Sequence, residues 1–134
     1  KLLVRFGFFG ASMLLGFIWG IWHLAWYFTP GQTQYNLLQN SLVKAILYIP
    51  GIMLLSIVVT FVYINTNRSI MAGAFVHMMG NFITSQLISP YSVEFETLIR
   101  IIQMLFCILV TIYCILSSKF KNKVKNQLEI IKAT

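Results

Sequence analysis

Apolar residues run along this chain in four long blocks separated by short polar breaks. The first runs from about Gly10 to Phe28, carries no charge, and stops at Thr29-Pro30-Gly31. A polar connector follows, with Gln32, Gln34, Asn36, Gln39 and Asn40. The second block spans about Val43 to Ile64, with Lys44 close enough to its end to snorkel and a Pro50-Gly51 pair expected to bend it. Asn65-Thr66-Asn67-Arg68 separates it from the third block, about Ile70 to Ile88, for which Ser69 is a fitting N-cap. Ser89-Pro90 ends the third block, and a loop holding Glu94 and Glu96 leads to the fourth, about Leu98 to Leu116. A membrane-spanning helix needs roughly 20 mostly apolar residues, and each block reaches about that length. The pattern predicts an all-α, multi-pass transmembrane helix bundle of about four spans: 10–28, 43–64, 70–88 and 98–116.

Composition agrees. Of 134 residues, 58% are hydrophobic and 10% charged, against roughly 25% charged in soluble domains. Such a surface cannot face water over most of its area. Ten Lys and Arg against three acidic residues give a net charge of +7. Half of the basic residues (Lys119, Lys121, Lys123, Lys125 and Lys132) follow the last apolar block directly. A juxtamembrane lysine cluster contacts anionic lipid head groups and fixes orientation, so the expected partner is the bilayer and no nucleic acid. Residues 1–118 read as the transmembrane domain and 119–134 as a basic cytoplasmic tail. With all four spans crossing, Lys1, Arg5, Arg68 and the tail lysines share one side, while Lys44 and Arg100 take the other. The positive-inside rule then puts both ends of the chain in the cytoplasm. Cys107 and Cys114, seven residues apart on one helix, stand about 10 Å apart, too far for a disulfide, and read as packing residues.

The two histidines, His23 and His77, both fall inside apolar blocks, and His77 opens a His-Met-Met-Gly-Asn run that ends at Asn81. Ionisable groups in a membrane span are costly and are read as functional sites. The first and third spans run in the same direction. Counted at 1.5 Å per residue, His23 lies roughly 18 Å and His77 roughly 12 Å from the same face, so the imidazoles can meet at one level. Ser12, Gly16, Trp19 and Gly20 share the His23 face; Gly73, Ala74, Gly80, Asn81 and Thr84 share that of His77. Small residues mark packing faces in lipid, so both histidines should point into a polar pocket between helices. A buried histidine can also serve only to join two helices by a hydrogen bond, and Asn81 can be a packing amide. The three tryptophans Trp19, Trp22 and Trp26 fit an interfacial aromatic belt equally well.

Trp-Gly-Ile-Trp-His-Leu (Trp19 to Leu24), followed some fifty residues later by His-Met-Met-Gly-Asn (His77 to Asn81), resembles the CPBP intramembrane proteases. These are the CAAX prenyl endoproteases, also called Abi or CAAX protease self-immunity proteins. Their pattern is Glu-Glu-x-x-x-Arg, then Phe-x-x-x-His, then His-x-x-x-Asn, each on its own helix. Trp19 to His23 matches the second motif with Trp for Phe; His77 and Asn81 match the third unchanged. The first is absent, since Glu94, Glu96 and Glu129 lie in no span.

The resemblance implies an endopeptidase cutting a membrane-associated protein or peptide, with its catalytic glutamate upstream of Lys1. The glutamate would act as general base on a water that His23 holds, and His77 and Asn81 would donate to the oxyanion. Members are often labelled metalloproteases, which implies zinc in the full-length protein with His23 and His77 among its ligands. Two imidazoles and an amide without that carboxylate make a poor zinc set, and the chain as it stands is expected to be inactive. Two other classes stay open: a non-catalytic immunity or binding protein on the same scaffold, and a small transporter using the intramembrane histidines.

Overall fold

The computed structural model describes residues 2–83 and 93–133. Among them the chain is entirely helical: α1 (Leu2–Trp22), a 3₁₀ segment (His23–Phe28), α2 (Thr33–Asn40), α3 (Leu42–Asn65), α4 (Ile70–Phe82), α5 (Val93–Leu116) and α6 (Ser118–Ala133). Three stretches are long and apolar enough to cross a membrane, Leu2–Phe28, Leu42–Asn65 and Thr97–Leu116, and α4 is a shorter apolar helix. The expected third span therefore holds as a helix to Phe82, and its remainder, with Thr84 and Gln86, lies outside the described residues.

The central element is α3, which packs against α1, α4 and α5, while among the described residues the backbones of α1 and α4 both pack on it and do not approach each other closely. The α1–α3 seam is as close as backbones allow. A Cβ at Gly16 would stand 2.6 Å from the Met53 Cα, and one at Gly20 would stand 2.9 Å from the Ile49 side chain. Ser56 Oγ donates to the Ser12 carbonyl across the same seam at 2.8 Å. In lipid, where apolar side chains gain little by leaving solvent, such close approach and interhelical hydrogen bonds hold helices together. The small face expected around His23 is thus a packing face, and its partner is α3. Gly73 of α4 likewise seats on Val59 of α3.

Several ends are set by local chemistry. Ser69 Oγ accepts from the Ala72 N–H at 3.2 Å, as its position ahead of α4 suggested. At the close of α3, Asn67 and Arg68 take left-handed conformations, and the Arg68 N–H returns to the Tyr63 carbonyl at 2.8 Å, a Schellman closure. Gly7, at φ 67°, breaks the helical geometry within α1, a conformation that a side chain would resist. α3 is a single helix through Pro50.

Three expectations need correction. The first span does not stay α-helical to Phe28 but tightens into 3₁₀ geometry at His23. The polar connector contains α2, whose Gln34 is 3% exposed. Glu94 and Glu96 lie within the start of α5 and not in a preceding loop.

The basic segment after α5 is also helical and folds back. Phe120 of α6, 4% exposed, joins Phe8, Ile57, Ile64 and Cys114 in the core cluster. Its ring meets Phe8 at 5.0 Å between centroids and Phe61 at 5.2 Å. Cys107 and Cys114 are buried and free, as packing residues would be.

Candidate active site

His23 begins the 3₁₀ segment, and its own side chain accounts for the change of helix. Nδ1 lies 2.8 Å from the Trp19 carbonyl, the acceptor that an α-helical His23 N–H would use. An imidazole competing for that carbonyl favours the tighter winding that follows. In 3₁₀ geometry residues three apart eclipse, so Trp26 stands over His23, with ring centroids 4.9 Å apart and planes at 81°. Tyr48 of α3 closes another side at 5.7 Å. His23 is 8% exposed inside this aromatic box. With Nδ1 donating to Trp19, its Nε2 carries the free lone pair.

The box is braced from outside the expected motifs. Gln34 Nε2 donates to the Tyr48 hydroxyl at 2.6 Å, and the Tyr27 hydroxyl donates to the Ala45 carbonyl at 2.7 Å. Sequence reasoning missed both. Tyr48 offered a weak signal as a hydroxyl in an apolar block, whereas nothing distinguished Gln34 from Gln32 or Gln39 in the connector.

His77 enters from α4. Its ring meets the Trp19 indole with centroids 4.5 Å apart and planes at 77°, while Trp19 and His23 lie 6.2 Å apart. The two histidines, expected at one level of the bilayer, therefore rest against the same indole. One helical turn beyond His77, Asn81 Nδ2 lies 3.1 Å from His77 Nε2. An amide nitrogen can only donate, so Nε2 accepts and the ring proton sits on Nδ1. That Nδ1 is buried and, among the described residues, has no hydrogen-bond partner. The tryptophans also separate by role. Trp22 is 74% exposed and faces outward, whereas Trp19 and Trp26 contact the histidines.

Between α1, α3 and α4 lies a cavity of about 700 Å³, lined by Trp19, Val59, Thr60, Gly73 and Ala74 among others, with His77 in its wall. It exists because α1 and α4 both lean on α3 without closing on each other. The lining is overwhelmingly apolar. Among the described residues no three His, Cys, Asp or Glu side chains come together as a metal set.

The description "Type II CAAX prenyl endopeptidase Rce1-like" matches residues 1–83, which hold both histidines and Asn81. A CAAX prenyl protease 2 from Methanococcus maripaludis is 26% identical over 77 residues, covering 58% of this chain and 28% of that relative. The chain thus spans little more than a quarter of the curated relative it matches. No solved structure matches it. The match over residues 1–83 agrees with the resemblance carried by Trp19 to Leu24 and His77 to Asn81, and this chain belongs to the Rce1-like family of type II CAAX prenyl endopeptidases.

Proposed function

We propose that the whole protein is an intramembrane endopeptidase that hydrolyses a peptide bond in a membrane-associated protein or peptide, with His23, His77 and Asn81 in its active site. The observation that carries this is the convergence of His23 and His77, from separate helices, on Trp19 beside an apolar cavity. A cavity of that lining suits a substrate with an apolar or lipidated segment, whose scissile carbonyl would lie by His77.

The two histidines divide the work by what each nitrogen is doing. His23 has its orientation fixed through Nδ1, leaving Nε2 to accept a hydrogen bond from the attacking water and hold it in place. His77 carries a buried Nδ1–H without an acceptor among the described residues, and Asn81 holds the other face of the ring. An unpaired buried donor is costly in a native structure. Here it is a donor in reserve for the negative charge that develops on the carbonyl oxygen during attack. The Asn81 amide, on turning from Nε2, offers a second. Donors held in a low-dielectric site stabilise developing charge far better than water does.

In the family pattern the general base is the glutamate of the Glu-Glu-x-x-x-Arg motif, and the glutamates of this chain, Glu94, Glu96 and Glu129, belong to α5 and α6 and do not match it. The donors in hand do not fit zinc by themselves: His77 Nε2 is engaged by Asn81, and carboxamides are weak zinc ligands. A zinc ion in the whole protein would need that same carboxylate alongside His23 and His77. By the positive-inside rule, both ends of the chain face the cytoplasm.

The test is release of the C-terminal peptide from a prenylated CAAX substrate by the whole protein in proteoliposomes. Release that disappears in His77→Ala at unchanged expression and insertion supports the reading. Undiminished release in that variant overturns it, and a whole protein without any cleavage would pass the lead to an immunity or binding role on the same scaffold.

A further inference from the structure

Helix α6 sorts its lysines by what they face. Phe120, Val124 and Ile131 share one side of the helix by spacing, and Phe120 and Val124 join the core cluster formed with α1, α3 and α5. Lys123 is drawn to α3, where Nζ donates to Asn65 Oδ1 at 3.1 Å. Lys121, Lys125 and Lys132 lie four and seven residues apart, all exposed, in one stripe that flanks the buried face roughly 100° around the helix. Over the eleven steps from Lys121 to Lys132 the stripe runs about 16 Å along the helix. Lys119, also exposed, stands on the other edge, and Glu129 sits beside the stripe one turn from Lys125 and Lys132.

The position of the helix says what the stripe meets. Only Ser117 separates α6 from α5, and α6 packs across the ends of α1 and α3 where Phe8, Phe61 and Asn65 lie. Those are the ends at which apolar helices leave the bilayer. Arg5 and Arg68 belong to the same end. A helix pinned there through a buried phenylalanine, with exposed lysines flanking its buried face, is held at head-group depth, where their stems can reach sideways to lipid.

We propose that the Lys121–Lys125–Lys132 stripe is a docking surface for anionic phospholipid head groups, with Phe120 as its apolar anchor. The charge is complementary, the lysine stems reach from a fixed helix, and the ordering cost of the helix is met by its packing. Lys123 keeps its charge but is turned toward α3 by its bonds to Asn65, and so lies outside the surface. This inference stands independently of the proteolytic reading.

The experiment uses the whole protein in mixed micelles of phosphatidylglycerol and phosphatidylcholine, with the lipids retained after purification measured by mass spectrometry. The expected result is enrichment of phosphatidylglycerol over phosphatidylcholine that 0.5 M salt reduces. Each lysine near an anionic surface is worth roughly fivefold in partitioning, so Lys121→Gln/Lys125→Gln/Lys132→Gln should lower the enrichment by at least about tenfold. The triple arginine variant should keep it, and so should Lys123→Gln. Absence of enrichment in the wild type, or equal enrichment in the triple glutamine variant, would overturn the proposal. So would an equal loss in Lys123→Gln, which would show bulk charge at work, or uptake of an RNA oligomer in place of the lipid.

Discussion

The indole of Trp19 and the imidazole of His77 meet edge to face across a gap that their own helices do not close. Their centroids are 4.5 Å apart, and among the described residues the backbones of α1 and α4 pack on α3 and do not approach each other closely. Trp19 is thereby the wall common to both histidines and to the cavity. Trp19→Phe keeps an aromatic face of reduced reach and should retain most cleavage by the whole protein. Trp19→Ala should lose it while leaving membrane insertion intact. Comparable activity of the two variants would show that the ring does not position His77.

For the catalytic groups the expectation differs by residue. His23→Ala and His77→Ala should each abolish cleavage. Asn81→Ala should reduce kcat by something like 10²–10³, the scale for one oxyanion donor, with little change in KM, because the donor is engaged mainly as charge develops. A rise in KM alone in Asn81→Ala would assign the amide to substrate binding.

The helices were legible because each apolar block is bounded by residues that helices stop at. Ser69 gave the start of α4, and the Gly16 and Gly20 spacing marked a packing face that proves to be the α1–α3 seam. The approach of His23 and His77 to one indole was legible in part, since counting residues from one face of the bilayer already put them near one level. What was not legible depends on partners distant in sequence. The 3₁₀ winding after Trp22 follows from the His23 imidazole taking a backbone acceptor. The burial of Gln34 follows from a tyrosine fourteen residues on. The return of α6 follows from one phenylalanine among lysines finding Phe8 and Phe61. The first two leave no periodic trace in the chain, and the third only the spacing of Phe120, Val124 and Ile131, which does not say what that face meets.

The α1–α3 seam gives a stability prediction. At Gly16 an added Cβ would lie 2.6 Å from backbone, the Met53 Cα, and 2.9 Å from the Ser56 Cβ. Neither can swing aside, so the helices must separate. Gly16→Ala should cost about 1–3 kcal/mol and lower the unfolding temperature in detergent. Gly51→Ala, on α3 with nothing within 4 Å of its Cβ position, should be neutral or slightly stabilising. Equal unfolding temperatures for the two variants would mean that the seam is looser than the distances state.

The brace behind His23 can be tested without touching either histidine. Gln34 is buried, its Nε2 donates to the Tyr48 hydroxyl, and its Oε1 has no partner among the described residues. Tyr48→Phe keeps the ring that faces His23 but strips the amide of its one acceptor. Leaving a buried polar group unpaired costs about 1–3 kcal/mol, whereas replacing both partners by apolar groups of similar shape can be nearly neutral. Tyr48→Phe should therefore lower the unfolding temperature, and adding Gln34→Leu should restore much of the loss. The coupling between the two substitutions, read from a double-mutant cycle, is the measurement. Strict additivity would show that the Gln34–Tyr48 bond contributes nothing, and that α2 covers the His23 box by shape alone.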